Sequence, residues 1–203
     1  MDVVPFLAQT RPDLMALSWR LRHDVFAEAL GWELPTQDSL DIDPYDMRAS
    51  HVCLVENANV IGYLRALPTT GPYLLKDCFP VLAGGNPPED SSLWEISRFA
   101  VSPKLERSYS SDVARTLVRA GVAMAVDLGA KGLIAVTEPA FARFLENCGL
   151  RIEKLCQTQV VGQSTRGPVK ALGIACALDR ANILAMDLAP SNAEPLAENM
   201  DAA

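Results

Sequence analysis

Two periods of apolar residues alternate along the chain, and they divide it into elements. Leu14, Leu17, Leu21 and Val25 recur at helical spacing, which predicts an amphipathic helix over 13–30 with Gly31 as its stop. Ser50–Asn57 and Val60–Leu67 read as two strands joined by the tight turn Asn57-Ala58-Asn59. Between these units, 31–49 has no clear period and many turn formers. The stretch 68–92 is loop-like, with room for a short helix within Tyr73–Leu82. Then comes Leu-Trp-Glu-Ile-Ser-Arg-Phe-Ala-Val, residues 93–101, an apolar, β-prone run of the kind that becomes a central strand. The clearest helix spans 108–128: serines 108, 110 and 111 offer N-caps, Val113, Leu117, Ala120, Met124 and Leu128 form its stripe, and Gly129 suits its end. Gly132–Thr137 is a short buried strand, so strand, helix and strand make a right-handed crossover with two parallel strands. Thr137-Glu138-Pro139 opens another helix, with Phe141, Leu145 and Cys148 inward and Gly149 at its end. Strands over 151–161 and 169–178, turning through 162–167, and a short helix over 179–188 complete the pattern.

This order predicts an α/β fold, a mixed sheet flanked by helices in a three-layer sandwich. With 203 residues, 49% of them hydrophobic, the chain supports one domain over 1–188. Residues 189–203 are small, polar and acidic and read as a disordered tail. No apolar run is long enough to span a bilayer, and no basic segment with an apolar core opens the chain, so neither a membrane span nor a secretory signal is expected. Five scattered cysteines, without a C-x-x-C pair, point to reduced thiols in a cytoplasm. Two histidines make a His-rich metal site unexpected. The net charge of −7 argues against nucleic acid as the main partner, though not against a local basic patch.

The charges inside apolar runs change the picture most. Glu95 and Arg98 lie in the central strand and Arg65 in the strand before it; burying such groups unpaired costs several kcal/mol, so each needs partners. Arg22 and Phe26, four apart, share a helix face. The loop that follows supplies Trp32 and the acids Asp41, Asp43 and Asp46. A calcium loop fits these acids badly, because Pro44 interrupts them and Asp46 stands where glycine is required. Two readings of Asp43, Arg65, Glu95 and Arg98 remain open: an active site, or a buried charge network that only shapes the fold. On a regular strand Glu95 and Arg98 point to opposite faces, so a shared site needs a bulge, expected near Ile96–Ser97.

In order and near-family spacing, Arg22-x-x-x-Phe26, Trp32, Asp43, Asp46, Arg65, Leu67-Pro-Thr-Thr-Gly-Pro-Tyr73 and Trp94-Glu-x-Ser-Arg-Phe99 resemble the LuxI-type acyl-homoserine lactone synthases, the autoinducer synthases of bacterial quorum sensing. The resemblance covers most of the N-terminal half; beyond Val101 it is mainly one of layout. It implies a GNAT-like fold and transfer of an acyl group from acyl carrier protein, or in some members coenzyme A, to the amine of S-adenosylmethionine. Lactone closure then expels methylthioadenosine. S-adenosylmethionine is a substrate, and no cofactor or metal is implied. A monomer or weak dimer is expected.

Direct attack of an amine on a thioester needs no Ser or Cys nucleophile, but the ammonium must lose a proton. Glu95 is the first choice of base, with Arg98 and Arg65 beside it, and Asp43 or Asp46 to hold the ammonium. Arg22, Phe26, Trp32, Asp43, Asp46, Arg98 and Phe99 form the expected S-adenosylmethionine site, the aromatics facing the sulfonium. The acyl pocket is expected between the central helix and the segment around Thr137, lined by Leu93, Met124, Thr137, Phe141 and Leu145, all of which also suit ordinary core positions apart from Thr137. That threonine is either a helix cap or, as in the resembling family, a donor to the extra carbonyl of 3-oxo-acyl chains. Arg143, Arg151, Lys154, Arg166 and Lys170 form either a basic face for an acidic carrier protein or a scattered, solvated set. The alternatives are an acetyl-coenzyme A-dependent GNAT acetyltransferase and a non-catalytic binding protein on the same scaffold. The acetyltransferase is disfavoured because no glycine occurs between Gly85 and Gly121 to cradle a pyrophosphate.

Overall fold

The computed structural model describes residues 1–188; the expected disordered tail lies outside them. An eight-stranded mixed sheet organises the chain. Its strands are β1 (Asp2–Leu7), β2 (Ser50–Glu56), β3 (Asn59–Pro68), β4 (Leu93–Val101), β5 (Gly132–Thr137), β6 (Glu153–Lys154), β7 (Gln159–Ser164) and β8 (Gly167–Ala177). The spatial order is β1-β2-β3-β4-β5-β8-β6, with β7 also paired to β8. Only β4 and β5 run parallel, as expected of strands joined by a helical crossover. Alternate residues bury on opposite faces. Tyr63 and Leu67 of β3 pack toward α1 (Pro12–His23) and α2 (Leu74–Cys78). Leu64 and Ala66 pack toward α3 (Arg107–Asp127), while β8 meets α4 (Pro139–Asn147) and α5 (Arg180–Ala185) is the last helix among the described residues. The three layers and the mixed sheet follow the sequence pattern.

Several elements differ from that pattern. The edge strand β1 was not expected: Pro5 lies in its middle, tolerable only because one side of the strand carries no partner. The first helix is α-helical only to His23 and then widens into a π-helical turn over Asp24–Ala29, in which Leu30 N–H reaches Val25 C=O, five residues back. Glu106, not a serine, is the N-cap of α3 and caps it without its side chain, and Leu128 is exposed rather than part of the stripe. The strand expected over 151–161 is two strands, β6 and β7.

The central feature is a splay. Strands β4 and β5 pair only from Leu93 opposite Gly132 to Glu95 opposite Ile134. Beyond Glu95 the parallel ladder stops, while β4 stays bonded to β3 through Val101. That second ladder holds a bulge: Tyr63 opposes Ala100 and Arg65 opposes Ser97, leaving two β4 residues against one of β3. The extra residue is accommodated by Arg98 in the left-handed region, φ 57°. The bulge thus falls at Arg98–Phe99 rather than Ile96–Ser97.

Candidate active site

Above the bulge, three arginines and three aspartates form one buried, charge-balanced cluster. Arg22, at the end of α1, donates to Asp41 (3.0 Å), Asp46 (2.6 Å) and Asp43 (3.3 Å). Arg65 donates through Nη1 to Asp43 (2.5 Å) and Asp46 (2.6 Å), and through Nε to Ser97 Oγ (3.0 Å). Arg98 places Nε 2.9 Å from Asp41 and Nη2 3.0 Å from Asp43. Arg22 and Arg65 are wholly buried, and each is held more firmly protonated than usual despite desolvation, because the acids around it outweigh that cost. Burial alone pushes the Asp43 carboxyl up; the Arg65, Arg98 and Arg22 guanidiniums more than reverse this, and its pKa lies below the usual carboxylate range.

Asp46 is the hub. One oxygen accepts from Arg22 and Arg65, the other from Trp19 Nε1–H and the Asp43 main-chain N–H, and its own C=O meets His51. Burial drives the His51 imidazole down to about 4, so it is neutral and held between Asp46 and Tyr63. With both oxygens taken, Asp46 has no lone pair aimed at a substrate, which corrects the expectation that it holds an ammonium. Asp41, expected only as one acid of the loop and without a role in catalysis or binding, is a full member. Its only sequence signal was membership of an acid-rich loop too long for simple connection.

The splay opens a cavity of about 740 Å³ that passes through the sheet. Phe26, Trp32, Asp43, Ser97 and Arg98 line one end, and Val118, Val122, Leu145 and Leu150 the other. Phe26 stacks on Trp32 (5.2 Å between centroids) and carries the Arg98 guanidinium at 5.6 Å. Phe99 and Phe141, 4.6 Å apart, meet at the gap itself. Of the residues expected on the acyl pocket, Thr137, Phe141 and Leu145 line the cavity; Leu93 and Met124 do not. Met124 packs into the core beneath β2 and β3, and Leu93 against the cluster around Leu67 and Ile134. Thr137 does not cap α4, whose N-cap is Glu138; its hydroxyl makes only a 3.5 Å contact with the Glu138 C=O. Glu95, Arg65 and Arg22 do not line the cavity either. The expectation that Glu95 pairs with arginines is also corrected: among the described residues it forms no ion pair, and main-chain N–H groups of Leu74 and Leu75 hold it instead. Burial raises its carboxyl to about 7. Arg143, Arg151, Lys154, Arg166 and Lys170 are all exposed, and Arg151 pairs with Asp179 at 2.5 Å.

A strap closes the aromatic end. Gly31 C=O accepts from Thr165 N–H (2.9 Å), and Trp32 forms a β-bridge with Ser164 at the tip of the β7–β8 hairpin.

A mixed sheet splayed at its one parallel pair, with an apolar cavity through the gap and a charged, aromatic site at its mouth, defines an acyltransferase of GNAT-like fold. Residues 9–182 match the autoinducer synthase family, and the chain belongs to it. It is 37% identical over 171 residues to the acyl-homoserine-lactone synthase of Ralstonia solanacearum, covering 78% of each chain. Among solved structures it is similar to TofI in a ternary complex with an inhibitor and MTA (TM-score 0.81, 29% identity, 94% of this chain and 98% of that one). It is also similar to BjaI, a CoA-dependent acyl-homoserine lactone synthase solved with SAM and isopentyl-CoA (TM-score 0.79, 25% identity, 91% and 86%).

Proposed function

We propose that the cavity is the site of acyl-homoserine lactone synthesis from S-adenosylmethionine and an acyl thioester, with the two substrates entering from its two ends. The observation that carries this is one continuous cavity joining a charged, aromatic end to an apolar one through the β4–β5 gap. Arg98 and Asp43 face the donor's carboxylate and cationic groups, and the Phe26–Trp32 stack its sulfonium side. The acyl chain lies along Val118, Val122, Phe141 and Leu145, where removing apolar surface from water contributes about 0.8 kcal/mol per methylene. The Thr137 hydroxyl, on the cavity wall and free of a cap role, is available to a 3-oxo carbonyl.

The neutral amine attacks the thioester carbonyl, the C–S bond breaks, and the thiol leaves with the amine's proton. The donor carboxylate then attacks its own γ-carbon, whose bond to sulfur breaks to release methylthioadenosine. Holding the carboxylate near that carbon is an orientation effect. Purified protein incubated with S-adenosylmethionine and a panel of acyl thioesters, 3-oxo and unsubstituted, on carrier protein and on coenzyme A, should yield lactone and methylthioadenosine in equal amounts by mass spectrometry. Acylated products without lactone, or none at all, would overturn the reading.

A further inference from the structure

Glu95 occupies the last residue pair of the β4–β5 ladder, directly beside the gap. It is wholly buried, and main-chain donors take both its oxygens: Oε2 accepts from Leu74 N–H at 2.8 Å and Oε1 from Leu75 N–H at 2.7 Å. These are the first two residues of α2, and the flanking Tyr73 offers no side-chain cap of its own. Leu74, Cys78 and the adjoining Phe79 line the cavity, whereas Glu95 does not. The carboxylate therefore stands behind the wall and holds the segment that forms it. Leu74 and Phe79 pack in the cluster of Ile134 and Ala171, on the β5–β8 side of the gap.

A general base must reach its proton directly or through one water. Neither oxygen of Glu95 faces the cavity, and both are already bonded. Nor does the reaction demand a strong base. An α-amino group loses its proton near pH 7.7–8.0, so roughly a third of it is free amine at pH 7.5. The donor's own sulfonium disfavours the ammonium further.

Resting on the function proposed above, we propose that Glu95 is a positioning residue: by gripping the start of α2 it fixes Leu74, Cys78 and Phe79 as a cavity wall, and so governs substrate binding rather than the amine's proton.

Steady-state kinetics of the full chain carrying Glu95→Gln tests this. Glutamine keeps the shape and one acceptor oxygen but cannot act as a base. The proposal expects kcat within about threefold of the parent, KM for S-adenosylmethionine or the acyl thioester raised about five- to twentyfold, and an unchanged rise of kcat with pH through about 7–8. A kcat lowered about a hundredfold or more with KM unchanged, or loss of that pH limb, would make Glu95 the base and overturn it. Should the glutamine variant not fold, Glu95→Asp serves. It keeps the charge but is one methylene short of spanning both amides, so a raised substrate KM with kcat kept supports the proposal, and a kcat loss alone sinks it. Amide hydrogen exchange adds a readout that a base role would not move: Leu74 and Leu75 should exchange faster in the variant, and unchanged protection contradicts the proposal. Parent protein that makes no lactone would overturn the proposed function instead, and amide exchange would then still decide whether Glu95 holds α2.

Discussion

Single side chains set opposing responses to pH. The Glu95 carboxyl titrates at about 7 in the fold against an ordinary 4.5, so between those values the native state binds more protons than the unfolded chain and stability falls as pH rises. His51 does the reverse: held near 4 against 6.5, it binds fewer protons when folded, and stability rises with pH across that window. In the parent protein the two slopes offset between about 4.5 and 6.5. Glu95→Gln should uncover the His51 slope, up to about 1.4 kcal/mol per pH unit, as a urea midpoint that climbs with pH relative to the parent. Parallel profiles for the two proteins would contradict this. The cluster was partly legible because charges inside apolar runs stand out: Arg65, Glu95 and Arg98 announce themselves in strands. Asp41 did not, because an aspartate in a polar loop reads as solvated until the loop is seen to fold back over α1, where Asp41 N–H bonds Trp19 C=O. Leu93 and Met124 were assigned to the acyl pocket because apolar residues look alike in a sequence; which void they face depends on where the strands part.

At the scale of elements, function rests on irregularities. The π-helical turn carries Phe26, and the left-handed Arg98 turns its guanidinium toward the cluster that Arg65 and Ser97 reach from regular strand positions. Periodicity detects repetition, so it predicted an unbroken helix over 13–30 and could not see the wide turn. It missed β1 because Pro5 argues against a strand everywhere except an edge. The bulge was expected from a contradiction between Glu95 and Arg98, but its place could not be, since either side of Ser97 resolves that contradiction. The strap is equally specific. Gly31 holds φ +68°, and a Cβ there would stand 2.0 Å from Thr165 Oγ1. Gly31→Ala therefore combines about 1–2 kcal/mol of left-handed strain with a clash against the hairpin. Titration calorimetry with methylthioadenosine should show binding weakened about five- to thirtyfold, the same energy expressed as affinity. Undiminished affinity would detach the strap from the donor site.

Across the whole molecule, basic side chains stand exposed among acids such as Glu146, Glu153 and Asp179. The chain carries −7 overall, yet Arg143, Arg151, Lys154, Arg166 and Lys170 are all exposed on the segments after β5. Arg151 is committed to Asp179, whereas Lys154 and Lys170 have no ion-pair partner among the described residues. If this surface receives an acidic carrier, Lys154→Glu with Lys170→Glu should raise KM for carrier-protein donors about five- to tenfold at low salt, and the difference should shrink as salt approaches 0.5 M. Coenzyme A donors serve as the control and should be little affected; equal effects on both would remove the carrier surface. The layered fold was readable from the order of periods. A pocket near Thr137 was expected, but its passage through the sheet was not, because that exists only where two parallel strands stop pairing, and no residue type marks that point.

That stop has a consequence for how the enzyme can be dissected. Past Glu95, the main-chain groups of β4 that would have bonded to β5 have no strand on that side. Any substrate carbonyl held in the gap would lie beside these peptide groups in place of a strand. Peptide groups survive almost every substitution, so an alanine scan would report the aromatic and ionic contributions and pass over this one entirely. Replacing single amide bonds by esters along 96–99 would make it visible, because the oxygen that takes the nitrogen's place deletes the donor and leaves every side chain where it was.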